Sequence, residues 1–147
     1  MLTSKIPKTT AMNLKRAIGI SLLTYISTFI VGMVAALIMG LDLTSTDAPP
    51  PEMFYISAVA AVVIAALFSV WYFKGKGIEK NAKQGLFFGI TLIIIGFIMD
   101  IITFIPYVLG GGSYNDLFSY YANPVFLVTL VLILGTPAAI GHFLSKK

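Results

Sequence analysis

The sequence predicts an all-α membrane protein, a bundle of four antiparallel transmembrane helices, on the basis of composition, hydropathy and four long apolar stretches. Of the 147 residues, 58% are hydrophobic and 11% are charged, whereas about a quarter of the residues in soluble domains are charged. The mean hydropathy is +0.93. The apolar stretches cover about residues 17–40, 54–73, 85–109 and 125–144. Each can cross ~30 Å of hydrocarbon as a helix, so we expect a single membrane domain.

Polar and helix-ending residues separate the four predicted spans. Pro49, Pro50 and Pro51 favour an extended loop after the first span. Three consecutive glycines at positions 110–112 follow the third span, and residues 113–116 resemble a capping box. This pattern predicts a short helix over residues 114–121 that rests on the bilayer surface through a shared face of Tyr114, Phe118 and Tyr121, with an ordinary aromatic-rich loop as the alternative.

The ten lysine and arginine residues predict the sidedness of the bundle. Four precede the first span, four lie between the second and third spans, and two end the chain. With four crossings, all ten fall on one side, and the opposite loops carry only Asp42, Asp47, Glu52 and Asp116. Because cytoplasmic loops are enriched in basic residues, we expect both termini to be cytoplasmic, in the plasma (inner) membrane.

Small residues at steps of three or four predict where the helices pack, because close backbone contact holds helices together in lipid. The rows in the first two spans are Thr28, Gly32, Ala36 and Gly40, and Ser57, Ala61, Ala65 and Ser69. They predict a tight antiparallel hairpin. The third span adds the packing residues Gly85, Gly89 and Gly96.

One acid, Asp100, lies within the third apolar stretch. Ionisable residues inside spans are costly and are functional candidates by default. At about 100° per residue, Gly89, Gly96 and Thr103 share a helical stripe with Asp100, so this face should point into the bundle. The predicted polar site comprises Asp100, Thr103, Thr28, Ser57, Thr129 and Tyr25.

Three roles for Asp100 compete. It is a neutral hydrogen-bond donor that fixes helix packing, a binding group for a proton or cation in transport, or the partner of a cation on another subunit. Transport would use Pro106 and Pro137 as hinges. The leading hypothesis is therefore proton- or cation-linked transport of a small solute. The alternative is a non-catalytic accessory or assembly subunit that binds other membrane proteins through its small-residue faces.

Several classes of function are disfavoured by residues that the sequence lacks. It has no cysteine and one histidine, His142, so thiolate and histidine-rich metal sites are excluded, and we expect no cofactor. No catalytic motif or nucleophile–base pair is found, so we expect no enzymatic activity. The basic residues flank apolar stretches, which indicates contact with lipid headgroups and no nucleic-acid binding. The expected partners are the lipid bilayer and a homo-oligomer or larger membrane protein.

Overall fold

Five helices make up the described part of the chain. The computed structural model describes residues 13–42 and 50–146. The helices are α1 (Leu14–Ile38), α2 (Pro51–Phe73), α3 (Ala82–Leu109), α4 (Tyr114–Tyr121) and α5 (Pro124–Ser145). Within the described ranges there is no strand, and every helix except α4 is long and apolar enough to cross a membrane. The predicted all-α class with four span-length helices is therefore confirmed.

Asparagine side chains set where three of the long helices begin. The Oδ1 of Asn13 accepts a hydrogen bond from the Arg16 amide at 3.1 Å, and the Oδ1 of Asn81 accepts one from the Gln84 amide at 2.8 Å. Asn123 caps α5 in a similar way. Because such caps satisfy backbone N–H groups of the first turn, α1 and α3 begin a few residues before their apolar stretches.

The four long helices form a ring in which each helix contacts two neighbours. Helix α1 contacts α2 and α3, and α5 contacts the same two helices. Arg16 at the start of α1 touches Tyr72 at the end of α2. Likewise, Gly141 near the end of α5 lies against Asn81 before α3. The starts of α1 and α3 therefore share one end of the bundle with the ends of α2 and α5.

The guanidinium group of Arg16 joins α1 to the end of α2. Its Nη2 donates to the carbonyl oxygen of Trp71 at 2.7 Å, and its Nε donates to that of Tyr72 at 3.2 Å. The guanidinium carbon also lies 6.0 Å from the Trp71 ring centroid. Carbonyls in the last turn of a helix lack the usual amide partner four residues later and attract positive charge. Arg16 thus stabilises the end of α2.

Aromatic side chains form the buried core near the same end. The rings of Tyr72 and Phe88 stack with their centroids 4.3 Å apart, and Phe73 packs edge-on against Tyr72 at 5.4 Å. This core extends to Ala65 and Leu92. Both of these residues also line the cavity described below, so the packed core and the cavity adjoin.

Helices α3 and α5 approach so closely that only glycine fits on α3. A Cβ atom added at Gly85 would collide with the carbonyl group of Pro137. One added at Gly89 would lie 2.8 Å from the carbonyl oxygen of Leu134. The face that contains Gly85 and Gly89 therefore packs against α5, where backbone meets backbone.

The small residues of α1 and α2 behave differently from this glycine pair. A Cβ atom at Gly32 or Gly40 would meet no atom within 4 Å, so neither glycine marks a close helix contact. Ala36 is buried, whereas Ala61 and Ala65 line a cavity. Helices α1 and α2 do contact each other. The sequence predicted a tight contact along both small-residue rows, but Gly32 and Gly40 meet no neighbour and Ala61 and Ala65 border the cavity.

Both predicted hinge prolines lie inside continuous helices. Helix α3 runs through Pro106 to Leu109, and α5 runs through Pro137 to Ser145. Pro137 is buried beside Gly85, whereas Pro106 is exposed. The two prolines therefore lie in different surroundings, one at the contact between helices and the other at the surface of the bundle.

Charged residues divide between the two ends of the bundle. The described basic residues lie at or near the end where α1 and α3 begin, and they are Lys15, Arg16, Lys74, Lys76, Lys80, Lys83 and Lys146. Asp42, Glu52 and Asp116 belong to the opposite end. Lys5, Lys8, Asp47 and Lys147 also entered the prediction of sidedness, and they lie outside the described residues.

Candidate functional site

Asp100 accepts hydrogen bonds from two tyrosine hydroxyl groups. Tyr25 of α1 donates to Oδ1 at 2.8 Å, and Tyr121 of α4 donates to Oδ2 at 2.9 Å. Asp100 is partly buried, and no lysine or arginine lies within the predicted apolar stretches. Hydroxyl groups stabilise a carboxylate but bring no positive charge. An ionised Asp100 would therefore lack a compensating charge within its own span.

Thr103 extends this network by one hydroxyl group. Its Oγ1 lies 3.1 Å from the Tyr25 hydroxyl oxygen and also 3.1 Å from the backbone carbonyl oxygen of Asp100. The threonine has one hydrogen to donate, so it donates either to Tyr25 or to the carbonyl oxygen. Because Tyr25 gives its single hydrogen to Asp100, Thr103 bonds to Tyr25 only in the arrangement in which it donates to the tyrosine oxygen.

Helix α4 brings Tyr121 to Asp100. Ser113 and Asp116 form the capping box that starts the helix, and the Tyr107 hydroxyl donates to the Oδ2 of Asp116 at 2.8 Å. This bond ties the start of α4 to the end of α3. The short helix was predicted to use Tyr114, Phe118 and Tyr121 as one bilayer-facing surface. Phe118 is 63% exposed, but Tyr121 bonds to Asp100 and Leu117 is buried. The inward face of α4 therefore carries Leu117 and Tyr121.

A cavity of about 180 Å³ lies between the four long helices and reaches Asp100. One water molecule needs only ~10–15 Å³ by this measure. The walls are mostly apolar, and the polar side chains that line the cavity besides Asp100 are Ser21, Thr24, Tyr25, Thr28, Ser57, Tyr120 and Thr129. The cavity is therefore large enough for a small solute and places one acid against it.

The structure places the other predicted polar residues around this cavity, although they do not bind Asp100. Thr28 donates to the carbonyl oxygen of Thr24 at 2.9 Å, and Thr129 donates to that of Val125 at 2.7 Å. Each hydroxyl hydrogen is thus used within its own helix. Ser57 also lines the cavity, as does Gly96, where an added Cβ would meet no atom within 4 Å.

Ser21 differs from the threonines because its hydroxyl group has no partner. The residue is 2% exposed and lines the cavity, and its Oγ makes no hydrogen bond within the described part of the chain. Leaving a buried hydroxyl group unpaired costs free energy. Ser21 therefore offers a hydrogen-bonding position to whatever occupies the cavity, one helical turn before Tyr25.

Sequence reasoning missed Tyr121 as a partner of Asp100 and gave Ser21 no role of its own. A signal for Ser21 was present, because it lies four positions before Tyr25 and shares its helical face. Tyr121 had no such signal, since its position depends on how α4 is rotated against the bundle. Only the burial of Leu117, four positions earlier, reveals that rotation.

The chemistry available at this site is acid–base exchange and ion binding. Across residues 13–42 and 50–146, no group of three or more His, Cys, Asp or Glu side chains could hold a metal ion. The groups nearest to Asp100 are hydroxyls, which do not form a nucleophile–base pair with one another. The arrangement can bind a proton, a cation or a hydrogen-bonding solute.

Comparisons with protein-family models, with curated proteins and with solved structures give no match. The candidate site therefore consists of the Asp100 carboxylate, the hydroxyl groups of Tyr25 and Tyr121, and the cavity that the carboxylate lines.

Proposed function

We propose that this protein is a small multi-pass membrane carrier whose cavity binds a small solute beside Asp100. Asp100 exchanges a proton or a cation during transport. The observation that carries the proposal is the position of this carboxylate at the cavity wall, where it is held by two hydroxyl groups.

Energetics favour this role over packing alone. An acid near the centre of a span costs ~2.5–3.5 kcal/mol to insert, while a hydrogen bond between spans returns ~0.6 kcal/mol on average. The two bonds from Tyr25 and Tyr121 therefore do not offset the insertion cost. An acid that is kept despite this deficit is better explained by a function that needs it.

Helix α4 is our candidate for the moving part. Its Tyr120 lines the cavity, and its Tyr121 holds Asp100. A change in the charge of Asp100 alters its bond to Tyr121, which couples ion binding to the position of α4. Pro106 and Pro137, each of which removes a backbone donor, are proposed to let α3 and α5 bend in the same transition.

We place the protein in the plasma (inner) membrane with both termini in the cytoplasm. The support is the accumulation of basic residues at the end of the bundle where α1 and α3 begin, because basic residues favour the cytoplasmic side. Four helices enclose little interior, so the proposal includes a homo-oligomer or a larger membrane-protein partner. It includes no catalysis, because among the described residues no nucleophile–base pair adjoins Asp100.

The alternative of an accessory subunit has less support. That hypothesis needs small-residue faces free to bind another protein. Ala61 and Ala65 instead line the cavity, and Gly85 and Gly89 pack against α5 of the same chain. The small-residue faces of α2 and α3 are therefore used inside the bundle, whereas Gly32 and Gly40 on α1 meet no neighbouring atom.

Solute efflux from proteoliposomes tests the proposal. Vesicles that contain the wild type, Asp100→Asn or no protein are loaded with glucose, glycine, acetate and tetramethylammonium in equal amounts. A pH gradient is then imposed, and mass spectrometry follows the efflux of each compound. We expect at least one compound to leave faster through the wild type than through empty vesicles, and Asp100→Asn to abolish the difference.

A cavity-filling pair provides the matched control for this experiment. Gly96→Leu places a side chain in the cavity at a position where an added Cβ meets no atom within 4 Å, whereas Gly135→Leu adds the same side chain at an exposed position with the same clearance. We expect the first variant to block efflux and the second to retain it. Efflux that survives both Asp100→Asn and Gly96→Leu would rule out transport through this cavity.

A further inference from the structure

Four aromatic residues, each lining the cavity that Asp100 reaches, form a cluster that we call the aromatic cage. They come from four helices and are Phe54 of α2, Phe97 of α3, Tyr120 of α4 and Phe126 of α5. Phe54 and Tyr120 have their ring centroids 5.4 Å apart, and Tyr120 and Phe126 have theirs 5.0 Å apart. Phe97 lies 6.4 Å from Phe126. The carboxylate therefore shares its cavity with a continuous set of rings.

We propose that the cavity binds a small organic ammonium ion, with its positive charge toward Asp100 and its alkyl groups against the aromatic cage. This inference rests on the proposed function, because it names the class of solute that the same cavity accepts. Aromatic faces attract cations, and cages of aromatic rings recognise quaternary ammonium groups. The ammonium ion supplies the positive charge that the span of Asp100 lacks.

Tyr121 strengthens the link between the acid and the cage. Its ring centroid lies 4.8 Å from that of Phe97 and 4.9 Å from that of Phe126, while its hydroxyl group donates to Asp100. One side chain thus joins the carboxylate to two members of the aromatic cage. A cation near the carboxylate would therefore lie close to these rings as well.

The lining of the cavity disfavours other solutes. A hard metal cation takes about six oxygen ligands, whereas the cavity has mostly apolar walls and offers one carboxylate and a few hydroxyl groups. An anion would be repelled by Asp100. A neutral apolar solute would leave the carboxylate without a counter-charge, which is costly in a low-dielectric site.

The unpaired hydroxyl group of Ser21 adds a second constraint on the ligand. It is buried, lines the cavity and has no partner within the described residues. An ammonium ion that also carries a hydroxyl group could satisfy it. Small amino alcohols are therefore the preferred members of the class, and choline is a suitable probe.

Binding of two isosteric compounds tests the inference. Choline and 3,3-dimethylbutan-1-ol have the same shape and the same hydroxyl group, but only choline is charged. Calorimetric titration of the full chain in dodecyl maltoside measures both, with potassium chloride as the control cation. We expect choline to bind at least about tenfold more tightly than the neutral compound, and potassium not to compete at equal concentration.

Substitutions in and outside the aromatic cage separate cation–π binding from simple packing. Phe126→Leu and Phe97→Leu each remove a ring while keeping an apolar side chain, and each should weaken choline binding about fivefold to thirtyfold. Phe104→Leu is the matched control, because Phe104 packs against Tyr107 and Tyr114 and does not line the cavity. We expect it to change the affinity less than twofold. Using two cage variants keeps the test decisive if one fails to fold.

Three binding results would overturn the inference, and none of them by itself contradicts the proposed function. Equal binding of choline and 3,3-dimethylbutan-1-ol, both lost in Gly96→Leu, would mean that the cavity takes neutral solutes. Choline binding that neither Phe126→Leu nor Phe97→Leu weakens, or no binding of choline, would also overturn it. Failure of the proposed function has a different signature, namely no Asp100-dependent efflux of any compound from the proteoliposomes.

Discussion

The hydroxyl group of Tyr121 lies 2.9 Å from the Oδ2 of Asp100, and it joins a short helix outside the spans to the acid inside one of them. Helix α4 is also held by the buried Leu117, by the bond from Tyr107 to its capping residue Asp116, and by ring contacts of its tyrosines with α2, α3 and α5. The bond from Tyr121 is the contact that links the position of α4 to the charge of Asp100.

Tyr121→Phe should loosen α4 without removing its ring. The variant loses one hydrogen bond, worth ~0.6–1 kcal/mol, and keeps the aromatic contacts of Tyr121 with Phe97 and Phe126. We expect the backbone amides of residues 117–121 to exchange with deuterium several-fold faster. Tyr120→Phe is the control, because the Tyr120 hydroxyl makes no hydrogen bond to a described residue. Equal exchange in the two variants would show that the Tyr121 bond does not hold α4.

Gly85→Ala should destabilise the bundle at the contact between α3 and α5. The added methyl group would collide with the carbonyl group of Pro137, and overpacking of this kind typically costs ~1–3 kcal/mol. Gly135→Ala is the matched control, because a Cβ there meets no atom within 4 Å. Thermal unfolding in detergent should show a lower midpoint for Gly85→Ala alone. A midpoint unchanged by Gly85→Ala would contradict the close approach of the two helices.

Arg16→Ala should loosen the end of α2. It removes two hydrogen bonds to the carbonyl oxygens of Trp71 and Tyr72, which also accept bonds from the amides of Lys74 and Gly75. We expect those two amides to exchange faster with deuterium, consistent with a loss of ~1–2 kcal/mol. Lys15→Ala removes the neighbouring exposed charge and should leave them unchanged. If Lys15→Ala speeds exchange as much as Arg16→Ala does, the loss of a positive charge explains the effect and the hydrogen bonds of Arg16 do not.

Asp100→Asn should leave the protein at least as stable as the wild type. The substitution removes an acid that is costly within a span, and the asparagine Oδ1 still accepts a hydrogen bond from Tyr25 or Tyr121. We expect an unchanged or higher unfolding midpoint together with the loss of efflux described above. A large drop in the midpoint would instead indicate that Asp100 serves mainly to fix helix packing.

The number and length of the helices that are long enough to span a membrane could be predicted from the sequence. The length of an apolar stretch can be read from consecutive residues without knowing what packs against them. The helix starts were less predictable, since they depend on single capping residues such as Asn13 and Asn81, whose side chains bond to the backbone three residues later. The importance of Asp100 was predictable for a similar reason. An acid in an apolar stretch is conspicuous without any knowledge of its neighbours.

Contacts between distant parts of the chain could not be read from local patterns. Small residues spaced four apart occur both at Gly85 and Gly89, which pack against α5, and at Ala61 and Ala65, which line the cavity. Helical periodicity gives the same face in both cases and does not show what lies opposite. The bond between Arg16 and Tyr72 joins residues 56 positions apart, so it too required the folded structure.

Water access to the cavity is the most direct test of the central claim, and hydroxyl-radical footprinting in lipid nanodiscs measures it. Phe97 lines the cavity, whereas Phe29 is half exposed on the outside of α1 and would face lipid. Radicals form from water, so we predict oxidation of Phe97 but not of Phe29, and protection of Phe97 by Gly96→Leu but not by Gly135→Leu. If Phe97 is as protected as Phe29 in the wild type, no water reaches the cavity beside Asp100, and the account is contradicted.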